Sequence, residues 1–103
     1  GGGGAVSELN KKMKVTGFGF WSRTMGDTGE IRKLKVLTGA GENLGTFAIP
    51  DAEKLYNFSL TSTTAEKLRF EVVESTGGNT GAREIRIYIF LKLKYSNNIL
   101  LNL

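Results

Sequence analysis

AEKLRFEVVESTGGNTGAREIRIYIF, Ala65 to Phe90, is the stretch on which the fold turns. Leu68, Phe70 and Val72 alternate with Lys67, Arg69 and Glu71, and beyond STGGNTG the alternation resumes with Ile85, Ile87 and Ile89 against Glu84, Arg86 and Tyr88. Successive side chains of a strand point to opposite faces, so an apolar period of two predicts strands with one buried and one solvated face. The intervening glycines predict a tight polar loop, and together the two runs read as neighbouring strands of an antiparallel sheet.

Working back towards the N-terminus, Lys54 to Leu60 puts Tyr56, Phe58 and Leu60 on one strand face, and the small polar run Thr61 to Thr64 is expected to close that strand. Ile31 to Thr38 reads as a strand with Leu34 and Val36 inward and Lys33 and Lys35 outward. Gly39 to Gly45 turns the chain, and a short strand over Thr46 to Ile49 ends at Pro50, which has no ladder donor. Aromatic and β-branched residues make Val15 to Ser22 a strand, although Gly17 and Gly19 leave one face thinly covered, which calls for either a bulge or a bulky neighbour packed onto them. Gly26, Asp27 and Gly29 mark Arg23 to Glu30 as a loop. Ala5 to Lys14 is either a short helical turn or an irregular lead-in, since only Leu9 and Met13 share a spacing of four. Gly1 to Gly4 reads as a linker or flexible arm.

Towards the C-terminus, Ile85, Ile87, Ile89, Leu91, Leu93 and Tyr95 predict a long final strand. Ile99 to Leu103, ILLNL, is then an apolar tail that must either dock or aggregate. Short strands separated by turn signals, with no convincing helix, predict an all-β, antiparallel, two-layer β-sandwich. Its expected extent is 13–95, after a flexible or irregular lead-in over 1–12 and before an apolar tail over 96–103.

A chain of 103 residues carries enough apolar material for one core. No apolar run approaches the roughly 20 residues that cross a bilayer as a helix. Cysteine is absent, so there is neither a disulfide nor a thiolate, which suits a cytosolic or an exported protein equally. Histidine is absent too, which removes the commonest general base, the commonest metal ligand and every Ser/His or Cys/His nucleophile pair. An acid/base pair of carboxylates needs no histidine, yet Glu71 and Glu74 fall on opposite strand faces by parity, and Asp27 with Glu30 sits in a connection. Gly39, Gly41 and Gly45 lack both the Rossmann and the Walker spacing. The expectation is therefore no enzyme. The net charge of +4 comes from lysines and arginines interleaved with apolar residues, which read as solvated strand faces and not as a nucleic-acid footprint.

Several landmarks follow one another in a familiar order: Phe20-Trp21-Ser22-Arg23, the run Gly29 to Val36, the run Ala65 to Val72, Gly77-Gly78-Asn79 and the run Ala82 to Tyr88. Over roughly Met13 to Phe90 the chain resembles the later part of a discoidin domain, the coagulation factor 5/8 type C family, which includes galactose-binding carbohydrate modules of bacterial glycosidases. The family's earlier strands, and its tryptophan after the second strand, have no counterpart in this sequence. The resemblance implies a jelly-roll, galactose-binding-like sandwich, a non-catalytic carbohydrate-binding function, a galactose-type glycan as partner, and a secreted or cell-surface location.

It also implies site residues. Arg23 and Asn79 match the arginine and asparagine with which glycan-binding relatives meet sugar hydroxyls, chemistry that suits their donors and acceptors. Gly78 belongs to the same loop, and Trp21, the only tryptophan, is either an exposed platform for a sugar face or a core residue. Read on their own terms, Arg23 is a strand-end charge and Asn79 the left-handed residue of a turn. Glu84 matches an acid that helps hold calcium in many relatives, but calcium takes six to eight oxygens. Glu84 is therefore expected to form a salt bridge or anchor a loop, with no metal and no cofactor. The alternative to sugar binding is a structural or assembly module that pairs with another chain, a homo-oligomer included, through strand edges and the apolar tail.

Overall fold

Two strands of this protein are too long for one flat layer. The computed structural model describes residues 4–91 and 97–102, with side chains over 4–90. In it β1 (Gly4–Ser22) runs for 19 residues and β4 (Leu55–Ser75) for 21, about 60–70 Å each at the rise of an extended strand. The other strands are short: β2 (Ile31–Thr38), β3 (Asn43–Ala48), β5 (Ala82–Leu91) and β6 (Asn97–Asn102). Every pairing is antiparallel, and the order across the sheet is β3-β2-β4-β1-β5-β6.

The register shows how this single sheet becomes a sandwich. Gly4 to Glu8 of β1 pairs with Lys67 to Glu71 of β4, while Gly17 to Trp21 pairs with Leu55 to Ser59. Between these paired stretches the ladder is irregular from Glu8 to Met13 and again from Val15 to Gly17, and Asn10 takes a left-handed φ of 63°. Asparagine is among the few residues with a side chain that tolerate that region, and bulges of this kind bend and twist a strand. Both long strands therefore pass from one layer to the other. The first layer is β3, β2, the second half of β4 and the first half of β1; the second layer is the first half of β4, the second half of β1, β5 and β6.

Phenylalanines fill the space between the layers. The Phe18 ring lies 5.5 Å from Phe70 and 5.0 Å edge-on from Phe47, both in the opposite layer, and 5.0 Å from its in-sheet neighbour Phe58. Phe20 approaches Phe70 at 6.2 Å. Around them Leu34, Val36, Leu68, Ile87 and Ile89 are fully buried, as their alternation predicts.

Three sequence expectations change, and a fourth lies partly outside the described residues. The runs around Leu68 and Ile87 are not neighbours: β1 lies between β4 and β5, and the two runs belong to opposite layers. Alternation reports which face of a strand is buried, not which strand lies beside it. Ala5 to Lys14 is neither a helical turn nor an irregular lead-in but part of β1, because Ala5 to Glu8 and Met13 to Lys14 pair with β4, and Ser7 and Leu9 are buried. Thr61 to Thr64 does not end a strand; threonine is β-branched, and the run lies within β4 opposite Lys14 and Val15. The final strand is described only as far as Leu91, so Lys92 to Tyr95 falls outside the described residues, and of the tail the backbone from Asn97 to Asn102 pairs with β5. Both readings of the β1 glycines hold at once. A bulge forms at Val15/Gly17, and a Cβ on Gly19 would meet Asn57 Oδ1 at 2.8 Å and Tyr88 Oη at 3.3 Å.

Phe18→Ala removes the ring that touches both layers, and should cost about 3–5 kcal/mol in urea unfolding followed by tryptophan fluorescence. A loss below about 1 kcal/mol would show that the layers are held together elsewhere.

Candidate functional site

One end of the sandwich is closed by two loops that hold each other. Because β4 ends in the first layer and β5 begins in the second, Ser75 to Gly81 must cross the end of the core. Gly77 and Gly78 make the turn with φ of 92° and 74°, values open chiefly to glycine. Asn79 is not left-handed, contrary to expectation, since the two glycines before it supply the reversal.

The loop between β1 and β2 packs against this crossing. Gly29 N–H donates to Gly77 C=O at 2.7 Å, Thr76 N–H to Glu30 C=O at 2.9 Å, and Glu30 N–H to Thr76 Oγ1 at 3.1 Å. Arg23 N–H donates to Gly81 C=O at 2.8 Å. Behind them Ser22, fully buried, accepts from Ile31 N–H at 2.9 Å and donates to Arg23 C=O at 2.8 Å, fixing where the loop leaves and rejoins the sheet. A buried hydroxyl satisfied in both roles is a rigid joint.

Arg23, Gly78 and Asn79 therefore come to one end of the molecule. Arg23 and Asn79 are exposed, and Gly78 is exposed beside Thr28. The stem and guanidinium of Arg23 run along Gly81, where an added Cβ would lie 3.8–4.0 Å from Arg23 Nε, Cζ and Cδ. Next to this loop a cleft of about 290 Å³ opens between the layers, with Phe20 and Phe70 in its wall and Asn79 and Thr80 at its lip.

Trp21 is neither a core residue nor a bare platform. It lies on the face opposite Phe18 and Phe20, half-buried, and the Arg83 guanidinium sits 4.7 Å above its ring. The position of Arg83 was not legible in the sequence. The ladder steps from Trp21–Glu84 to Ser22–Ala82, so Arg83 is the extra residue of a bulge, a device that re-aims a side chain. The only hint in the sequence is a charged pair, Arg83-Glu84, where strict alternation would place one of the two inward. Glu84 forms the salt bridge expected of it, with Arg86, and that hydrogen bond is the main cause raising the Arg86 guanidinium above its ordinary pKa. Among the described residues no three acidic side chains gather as metal ligands do.

No protein-family model matches the chain, and no curated protein matches it. Solved structures do. CpGH89CBM32-5 from Clostridium perfringens, in complex with GalNAc-β-1,3-galactose, superimposes with a TM-score of 0.70 at 19% identity over 82% of this chain. The chain shares that module's β-sandwich fold. A putative chitobiase fragment from Bacteroides thetaiotaomicron (TM-score 0.64, 15% identity, 85% of this chain) and the C-terminal domain of a chitobiase from Bacteroides fragilis (0.65, 16%, 98%) have the same fold. The chain spans 63%, 60% and 66% of the length of these three structures.

The interlock of the two loops makes a specific demand at Gly29. A Cβ there would stand 2.8 Å from Asn79 C=O, at a φ of 76°. Gly29→Ala should lower stability by about 1–3 kcal/mol and shift the backbone amides of Gly78 to Gly81. Gly41→Ala, at a φ of 96° but with nothing within 4 Å of the new Cβ, should strain its own turn and leave those amides in place. Equal shifts at Gly78 to Gly81 in both variants would mean the loops are not interlocked.

Proposed function

We propose that the protein is a non-catalytic carbohydrate-binding module that receives a galactose-type sugar at the end formed by Arg23 to Glu30 and Ser75 to Gly81. The observation that carries this is the convergence of exposed Arg23 and Asn79 on two loops whose backbones are pinned to each other. A pyranose presents adjacent hydroxyls that both donate and accept. A guanidinium supplies donors only and a carboxamide supplies both, so the pair can meet vicinal hydroxyls without reorganising the loops. The fold shared with a module crystallised with a galactose-containing disaccharide, and with chitobiase domains, supports the reading at the level of ligand class. The absence of histidine supports binding without turnover. Sugar-binding modules of this kind work outside the cell, so the reading carries with it a secreted or surface location.

Trp21 takes a different part here from a stacking platform. With Arg83 laid over its ring, it acts as a support for that guanidinium, and sugar contact falls to the loop residues.

Titration with galactose, followed by amide NMR, should move the signals of Gly77 to Ala82 and of Arg23, with a millimolar Kd. Silence at all of these positions in molar excess of sugar would remove the proposal.

A second reading, assembly with another chain, has one observation in its favour. Gly4 to Glu8 pairs with β4 on one side only, and pairing with β5 begins at Lys14, so among the described residues this piece of β1 is an open edge, with Val6 56% exposed on it. Unpaired edges are templates for strand addition. On this reading sedimentation should give the mass of a dimer at micromolar concentration, and a monomer at that concentration would count against it.

A further inference from the structure

The protein has five arginines, and all lie among the described residues. Three are paired with acids: Arg32 with Glu30, Arg69 with Glu71 and Arg86 with Glu84. The two that form no ion pair among the described residues, Arg23 and Arg83, line the same small cleft, about 270 Å³, together with Thr24 and Ala82. Two guanidinium ions brought to one cleft repel each other. The fold nonetheless commits a β-bulge and its only tryptophan to holding Arg83 there.

Geometry makes the pair a receptor for an anion. A guanidinium held over an indole is attracted to the ring without using up its N–H donors, and Arg83 has no acidic partner among the described residues to occupy them. Arg23 is steadied from the other side, its backbone N–H bonded to Gly81 C=O and its stem laid along the same glycine. Two pre-set forks match the paired oxygens of a carboxylate or the oxygens of a sulfate, and charge-assisted bonds of this kind are about twice as strong as neutral ones. The nearest acid along the strand, Glu84, does not compete, because Arg86 already occupies it.

We infer that this module selects acidic sugars: a uronate carboxylate or a sugar sulfate seats between Arg23 and Arg83 while the ring meets Asn79 and its loop. This rests on the sugar-binding reading above, and it names the ligand class within that reading. It also gives the basic charge of the chain a use that needs no nucleic acid.

The test compares galactose, galacturonate and galactose 6-sulfate, with inorganic sulfate and a single-stranded oligonucleotide as further arms, in amide and arginine Nε–Hε NMR titrations of the full chain. At least one acidic sugar should bind about tenfold more tightly than galactose and move the Nε–Hε signals of Arg23 and Arg83; whichever acid is tighter identifies the anion. Arg83→Gln, at an exposed position, should abolish that preference while leaving galactose binding unchanged and the amide spectrum that of the same fold, and Arg83→Lys should restore only part of it. If all three sugars bind alike, selection for acid is overturned while sugar binding stands. If no sugar binds, the underlying reading fails and takes this one with it. If inorganic sulfate or the oligonucleotide binds as tightly as the better acidic sugar, the cleft is a site for anions in general, and the inference is overturned.

Discussion

The contact between Phe18 and Phe70 is what makes a folded sheet out of a flat one. The two rings belong to strands that share a single hydrogen-bonded sheet, yet they meet across the core at 5.5 Å, because β1 and β4 bend between the layers. Each bend gives up regular ladder bonds between Glu8 and Met13 and between Val15 and Gly17. Burial of Phe18, Phe20, Phe70 and the aliphatic residues around them offsets that loss, at roughly 1.5–3 kcal/mol for each large apolar side chain removed from water. Without that burial between the layers nothing would favour the bent strands over straight ones.

The loop end inherits its shape from this arrangement. Since the two halves of the Ala65 to Phe90 stretch lie in opposite layers, their connection has to bridge the core, and Gly77 and Gly78 supply the left-handed backbone that lets it do so in few residues. The bridge then finds its hydrogen-bond partners in the β1–β2 loop, which Ser22 anchors from beneath. Arg23 and Asn79, 56 positions apart in the sequence, come to the same end of the molecule through backbone bonds that involve neither side chain. On the proposed reading the two side chains meet a ligand on a frame that does not have to be ordered at the moment of binding.

Much of this was legible in the sequence, and what escaped has a common cause. Alternation correctly placed Leu34, Val36, Leu68, Phe70, Ile85, Ile87 and Ile89 inside and the loop glycines at the turns. What alternation lacks is any record of partners, so the insertion of β1 between β4 and β5 was hidden, and so was the strand character of Ala5 to Lys14, a polar run that owes its conformation to pairing. Thr61 to Thr64 looked like punctuation because its residues are small and polar, although β-branching suits them to an extended chain. At the candidate site, Arg23, Gly78 and Asn79 were named by resemblance and lie at one end. The placement of Arg83 over Trp21 was hidden, because a one-residue bulge leaves no mark in the composition and changes which side of the sheet a charge faces.

The two halves of the Ala65 to Phe90 stretch lie in opposite layers with β1 paired to each. Backbone Hα–Hα and HN–HN NOEs measure strand adjacency directly. Cross-strand NOEs are expected from Phe20 to both Tyr56 and Ile85, and from Ser7 to Leu68. Backbone NOEs linking Leu68 to Val72 directly with Ile85 to Ile89 would contradict this arrangement, since those strands would then be neighbours in one layer and the loop between them an ordinary hairpin.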